Sequence, residues 1–95
     1  MAARSYGDFE WDRAKAKRNW AKHGVSFEEA VTVFGDPNAI DVPDFYVPDR
    51  FVLIGYSDRV RVLFVVHAES RSRIRILSAR KASAAQRRKY EEGLI

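Results

Sequence analysis

Along the first third of the chain, apolar positions recur at a helical spacing between clear stop signals. Asp12 suits the N-cap of a helix predicted over residues 13–22, and His23-Gly24 stops it, with glycine where a helix C-terminus turns left-handed. Ser26 and Glu29 have the spacing of a capping box. Phe27, Ala30, Val31 and Phe34 then follow the 3.6-residue period, which predicts a second helix ended by Gly35 and Pro37. Residues 1–8 read as a loose lead-in, with a short edge strand over Tyr6 to Glu10 as the alternative.

Past Pro37 the period changes from helix to strand. A turn-rich acidic stretch holds Pro37, Pro43 and Pro48, with room for a short strand near Ala39–Val42. Phe51–Tyr56, Val60–His67 and Arg73–Ala79 are rich in β-branched and aromatic residues. The tight Ser57-Asp58-Arg59 connection predicts an antiparallel hairpin between the first two. The polar turn at Glu69–Ser72 predicts a third antiparallel strand. Ser83 and Gln86 then cap a last helix over about 84–92, ended by Gly93. The order predicts an α+β domain, a small antiparallel sheet with two N-terminal helices and a C-terminal helix on one of its faces.

Composition sharpens this in two ways. Ninety-five residues fit one small domain over 1–95, and 46% apolar with 13% aromatic residues suffices for a packed core. Without cysteine there are no disulfides, thiolate metal sites or cysteine nucleophile. No run approaches the roughly 18 apolar residues of a membrane span, and no signal-like stretch opens the chain, so the expected location is the cytoplasm. The net charge of +4 is unevenly spread: residues 26–58 hold one basic and seven acidic side chains, while residues 71–95 hold eight basic and two acidic. One patch suits a polyanion and the other a basic partner.

The last third couples Ile74-Arg75-Ile76-Leu77 through Ser78-Ala79 to Arg80-Lys81 and then to a basic helix bearing Tyr90. A strand that delivers arginine at its end suits work on a phosphodiester, because the guanidinium fork matches phosphate oxygens and stays charged. A solvated basic face is the plainer alternative.

Phe9-Glu10-Trp11-Asp12 followed by Lys22-His23-Gly24-Val25-Ser26-Phe27-Glu28-Glu29-Ala30 resembles the opening signature of the BrnT family of type II toxins. Ile54-Gly55-Tyr56-Ser57, Val65-Val66-His67 and Ile74-Arg75-Ile76-Leu77-Ser78-Ala79-Arg80 resemble that family's hairpin and final strand, in the same order. The likeness runs over about residues 9–93. It implies a RelE-like fold, metal-independent endoribonuclease activity that inhibits translation and growth, and neutralisation by a ribbon-helix-helix antitoxin. The partner complex it implies is a heterotetramer on an antitoxin dimer, with operator DNA reached only through the antitoxin. Where the family's hairpin turn would carry glycine, this chain has Val60 between Arg59 and Arg61.

RNA cleavage without a metal needs a base for the 2′-hydroxyl, donors for charge growing on phosphate, and an acid for the departing 5′-oxygen. The resemblance makes Arg80 the phosphate-binding arginine and Arg61 a second catalytic arginine. Salt bridging of Arg80 to Glu91 or Glu92, and an ordinary edge-strand charge at Arg61, are the structural alternatives. With histidine's unperturbed pKa of about 6.5, His67 suits acid or base, with Glu69 as base or orienter; a histidine ending a strand is also commonly structural. Tyr90 suits stacking on a base, donation to phosphate, or packing on the sheet. Lys81, Arg59, Arg75 and Arg87 are the expected RNA contacts. His23 and Lys22 read as helix-terminal capping and dipole complement, and Trp11 and Trp20 as core or antitoxin-facing anchors. Two histidines 44 positions apart make no metal site, and no cofactor motif is present. A non-catalytic basic RNA-binding module, or a co-repressor acting with a DNA-binding antitoxin, is the competing reading.

Overall fold

The computed structural model describes residues 3–6, 8–44 and 46–94, with 3–6 as backbone. Elements run β1 (Ala3–Tyr6), β2 (Phe9–Asp12), α1 (Arg13–His23), α2 (Phe27–Thr32), a 3-10 turn (Val33–Gly35), β3 (Ile40–Pro43), β4 (Arg50–Tyr56), β5 (Val62–Ser70), β6 (Arg73–Lys81) and α3 (Ala84–Glu92). The strands form a six-stranded sheet in the order β1-β2-β6-β5-β4-β3. Every neighbouring pair is antiparallel except β2 and β6, which run parallel through Phe9↔Ile74 and Glu10↔Arg75. The α+β class holds, while the sheet is mixed and twice as wide as the meander alone. Residues 3–6, read as part of a loose lead-in, form the edge strand paired to β2.

The helix ends follow local chemistry. The Asp12 carboxylate accepts from Ala14 N at 3.0 Å, and Gly24 at φ +66° donates its N–H to the Trp20 carbonyl at 2.9 Å. Ser83 and Gln86 complete a reciprocal capping box on α3. At α2 the Ser26 hydroxyl accepts from Glu29 N, whereas the Glu29 carboxylate turns to Arg61 and Ser57.

Strand alternation splits the core between two faces of the sheet. Leu53, Leu63, Val65, Ile76 and Ala79 pack with Trp11, Val25, Phe27, Ala30 and Val33 under α1 and α2. Val52, Ile54 and Val62 face the other way and meet Tyr90 of α3. The C-terminal helix therefore covers the face opposite to the N-terminal pair, not the same one. Trp11 and Tyr90, each 1% exposed, anchor the two layers, and burial of such a side chain contributes about 2–3 kcal/mol.

One irregularity sets the aim of β6. Val66 pairs with Ser78 but His67 pairs with Ile76, which leaves Leu77 as an extra residue in the ladder. Ile76 and Ala79 can thus share the α1–α2 face although three positions apart, and Arg80 falls on the α3 face opposite Phe64. Backbone crowding matters at Gly55, where a Cβ would stand 2.8 Å from Asp36 Oδ2 and 2.9 Å from Ala39 Cβ. This gap lets the Asp36 carboxylate reach across β4. Among the described residues no helix is long and apolar enough to span a membrane.

Candidate functional site

Three basic side chains from separate segments of the chain meet at the turn end of the β4–β5 hairpin. Arg61 stands just before β5, Lys81 ends β6, and Arg87 lies on α3; with Tyr56, Val60, Val62, Ala82 and Glu91 they line a cleft of about 320 Å³. The end of β6 and the cap of α3 fix Lys81 and Arg87, while the hairpin turn fixes Arg61.

Arg61 is held from behind. Its Nε donates to Glu29 Oε2 at 2.7 Å, and Nη2 donates to Glu29 Oε1 at 2.6 Å and to the Gly24 carbonyl at 3.0 Å. Ser57 Oγ donates to the same Glu29 Oε2 at 2.7 Å. Glu29 is only 4% exposed, and the Arg61 hydrogen bond, helped by Ser57 and outweighing burial, holds its carboxyl below the ordinary value. Among the described residues Nη1 has no protein acceptor, so one nitrogen remains for a ligand. This bidentate pair spans 32 positions, and the Ser26–Glu29 spacing points only to a cap.

The turn preceding Arg61 is tight. Val60 N donates to the Ser57 carbonyl and Ser57 N to the Arg61 carbonyl, each at 3.0 Å. Val60 sits at φ +60°, the left-handed region that glycine adopts freely, and it is 79% exposed. Valine thus holds, at a steric cost, a conformation that glycine would adopt freely.

Arg80 lies on the α3 face beside this cleft rather than among its lining residues. Its guanidinium rests 4.1 Å above the Phe64 ring and donates to Gln86 Oε1 and the Lys81 carbonyl, both at 3.1 Å. Those contacts explain its half-burial without Glu91 or Glu92. Tyr90 is buried: its hydroxyl donates to Asp36 Oδ2 at 2.6 Å and its ring meets Tyr56 edge-on at 5.5 Å. Burial, together with the Asp36 carboxylate, pushes its phenol up to about 12. Burial would raise Asp36, but hydrogen bonds from Tyr90, Asn38 N and Tyr56 N outweigh it and lower the carboxyl. Tyr56 presents the aromatic ring at the cleft.

The other residues that sequence reasoning assigns to the site scatter, as strand geometry requires. His67 lies five residues along β5 from Val62, about 16 Å away, and Glu69 lies farther still at the exposed end of the strand. The His67 ring is buried, stacked on Phe51 and edge-on to Phe34, and neither nitrogen has a hydrogen-bond partner; Nε2 is 3.8 Å from Asp41 Oδ1. Burial holds its pKa below the ordinary value against the pull of Asp41 and Glu69. Arg75 pairs with Glu10 at 2.7 Å near the β1 side of the sheet. Arg59 is exposed in the hairpin turn and lines a smaller recess of about 200 Å³ with Ser26, Glu28 and Asp58. Trp11 is core, whereas Trp20 is 54% exposed. Among the described residues no three His, Asp or Glu side chains gather as a metal site.

A model of the ribonuclease toxin BrnT of type II toxin–antitoxin systems matches residues 11–86. A search of curated proteins finds no significant match. Among solved structures, the crystal structure of the Brucella abortus ribonuclease toxin BrnT aligns at a TM-score of 0.64 and 28% identity, covering 77% of this chain and 92% of that one. The matched span takes in both helices under the sheet, the hairpin and the whole of β6, while Arg87, Tyr90 and Glu91 follow it. The chain belongs to the BrnT family of ribonuclease toxins of type II toxin–antitoxin systems.

Proposed function

We propose that the Arg61–Lys81–Arg87 cleft binds and cuts RNA without a metal, and that the cut arrests translation and growth. The convergence of three cations from three segments of the chain on one cleft carries this reading. Arg61 and Arg87 hold the phosphate, and the aromatic face of Tyr56 accepts a base. Glu91, the carboxylate lining the cleft, takes the 2′-hydroxyl proton as the 2′-oxygen attacks phosphorus. The bond from phosphorus to the 5′-oxygen breaks, leaving a 2′,3′-cyclic phosphate, and Lys81 protonates the departing oxygen. Arg80, beneath the first turn of α3, adds positive potential and holds Gln86.

The test is cleavage of a single-stranded RNA by Lys81→Ala and Arg87→Ala, with EDTA present throughout. Both side chains are exposed, so thermal melts should match the parent while the rate falls about 10²–10³-fold for each donor lost. Unchanged cleavage by both variants would remove the cleft from the reaction, and abolition of parental activity by EDTA would overturn the metal-free step. Arg80→Ala should slow cleavage and also lower the melting temperature, because it loses the Phe64 and Gln86 contacts. The alternative, a non-catalytic co-repressor, draws support from the engagement of Arg61 by Glu29 and of Tyr90 by Asp36. Growth arrest on expression without antitoxin, with sub-stoichiometric RNA loss, would exclude it.

The neutralising partner is proposed to be a ribbon-helix-helix antitoxin forming a heterotetramer on its own dimer, through which operator DNA is reached. An apolar groove of about 320 Å³ lined by Val42, Pro43, Tyr46, Val52, Ile54 and Phe64, with Asp44 at its side, suits an apolar segment bearing basic residues. Phe64 carries Arg80 on its face, so a partner seated there also covers that arginine. Mass measurement of the co-purified complex checks the stoichiometry.

A further inference from the structure

Helix α1 holds five lysines and arginines and no acid. Among the described residues none of the five joins an ion pair, whereas Arg61, just before β5, and Arg75, on β6, each have a carboxylate. Lys15, Arg18 and Lys22, at i, i+3 and i+7, share one flank of the helix and line a groove of about 360 Å³ with Asn19, Leu77 and Ser78. Like charges at these spacings destabilise a helix, and no neighbouring carboxylate offsets them. Asn19 is fully engaged by the Val25 and Ala79 backbones, so its amide fixes the groove floor. The bulge at Leu77 places the other wall.

The groove leads towards the cleft by two routes. Along β6, Leu77 and Ser78 line the groove and Lys81 the cleft, about 10 Å farther on. At the end of α1, Lys22 and His23 line the groove, and the next residue, Gly24, accepts a hydrogen bond from Arg61. From Lys15 to Lys22 the helix rises about 10 Å. We propose that this flank of α1 is a second phosphate-contact track, along which a single RNA strand lies before entering the cleft. The proposal rests on the RNA-cleaving reading of that cleft. It assigns Lys15, Arg18 and Lys22 to substrate affinity, not to chemistry.

The experiment uses a long 2′-O-methyl RNA, which lacks the attacking hydroxyl and reports binding alone, over a range of salt. Each phosphate contact on a single strand contributes about 0.7 to the slope of log affinity against log salt. The triple variant Lys15→Gln, Arg18→Gln, Lys22→Gln should therefore flatten the slope by about 2 and weaken binding at least tenfold at low salt. A control with the same loss of charge elsewhere, Arg13→Gln, Lys17→Gln, Lys89→Gln, should keep most of the affinity. Cleavage of a dinucleotide, too short to leave the cleft, should be equal in the triple variant and the parent. A parental slope in the triple variant, or an equal loss in the control, overturns the track. Equal loss on dinucleotide and long RNA would also overturn it, since the damage would then lie in the cleft. Failure of the parent to cut either unmodified RNA would sink the ribonuclease reading alone, because the binding measurement decides the track separately.

Discussion

Arg61 and His67 lie towards opposite ends of β5, and both are groups that sequence reasoning assigns to catalysis. Arg61 has its charge answered on one side by Glu29 and left open on the other, so the protein has already met the cost of orienting it. His67 is enclosed by Phe34 and Phe51 with both nitrogens unpaired, and its environment opposes the charged form a proton relay needs. A titratable side chain on a strand is therefore a poor guide to chemistry by itself. What separates the two ends is whether the fold supplies a partner and an opening together.

The largest expected effect comes from breaking the better-built end. Arg61→Ala leaves the Glu29 carboxylate buried without its cation, which should cost about 3 kcal/mol in urea unfolding. Arg61→Lys should recover the charge but not the fork, and so only part of the stability. A loss below about 1 kcal/mol would mean that solvent replaces the pair and that Arg61 is less constrained than its geometry implies.

Tyr90→Phe removes the hydroxyl donor to Asp36 and should cost about 1–2 kcal/mol, with RNA cleavage per folded molecule preserved. A large fall in rate at unchanged stability would instead return Tyr90 to the chemistry.

At the other end, burial depresses the pKa of His67 below the ordinary 6.5. The fold favours the neutral ring, so this contribution is present in full above pH 6.5 and is lost as pH falls below that value towards the folded pKa. His67→Phe should flatten that acidic limb, change stability near neutrality by about 1 kcal/mol or less, and leave cleavage intact. Cleavage reduced a hundredfold in folded His67→Phe would make the two ends functionally equivalent and break the comparison.

The smallest effect is expected at Val60. Glycine there relieves about 1 kcal/mol of left-handed strain but gains freedom in the unfolded chain, so Val60→Gly should raise the melting temperature only slightly. A lowered melting temperature would show that the valine side chain supports the cleft wall.

Local signals in the sequence anticipate the elements closely. Asp12, Gly24, Ser26 and Ser83 mark helix ends because caps act within a few residues, and α3 falls on the expected residues. The parallel contact of β2 with β6, the edge strand β1 and the placement of α3 on the opposite face have no such local signal, since each depends on partners distant in the chain or on which side a chain returns. Lys81 and Arg87, which both line the cleft, are legible from charge. Tyr56 and Glu91 at the cleft, and Glu29 behind it, are not, because nothing near them in the chain names a partner. His67 misleads for the opposite reason: its residue type signals reactivity, while its environment is set by Phe34, thirty-three positions earlier.

The extra residue in β6 has a consequence for how this protein can change over generations. With Leu77 in the chain, Ser78 to Lys81 keep their sides because that residue takes no position in the ladder. Substituting Leu77 alters a groove wall, and deleting it would bring Ile76 and Ala79 two positions apart, where strict alternation keeps both in the core and leaves Arg80 opposite Phe64. Lineages carrying this strand can therefore lose that residue as well as replace it, whereas a gap at Arg80 would turn Lys81 to the opposite face and should be purged.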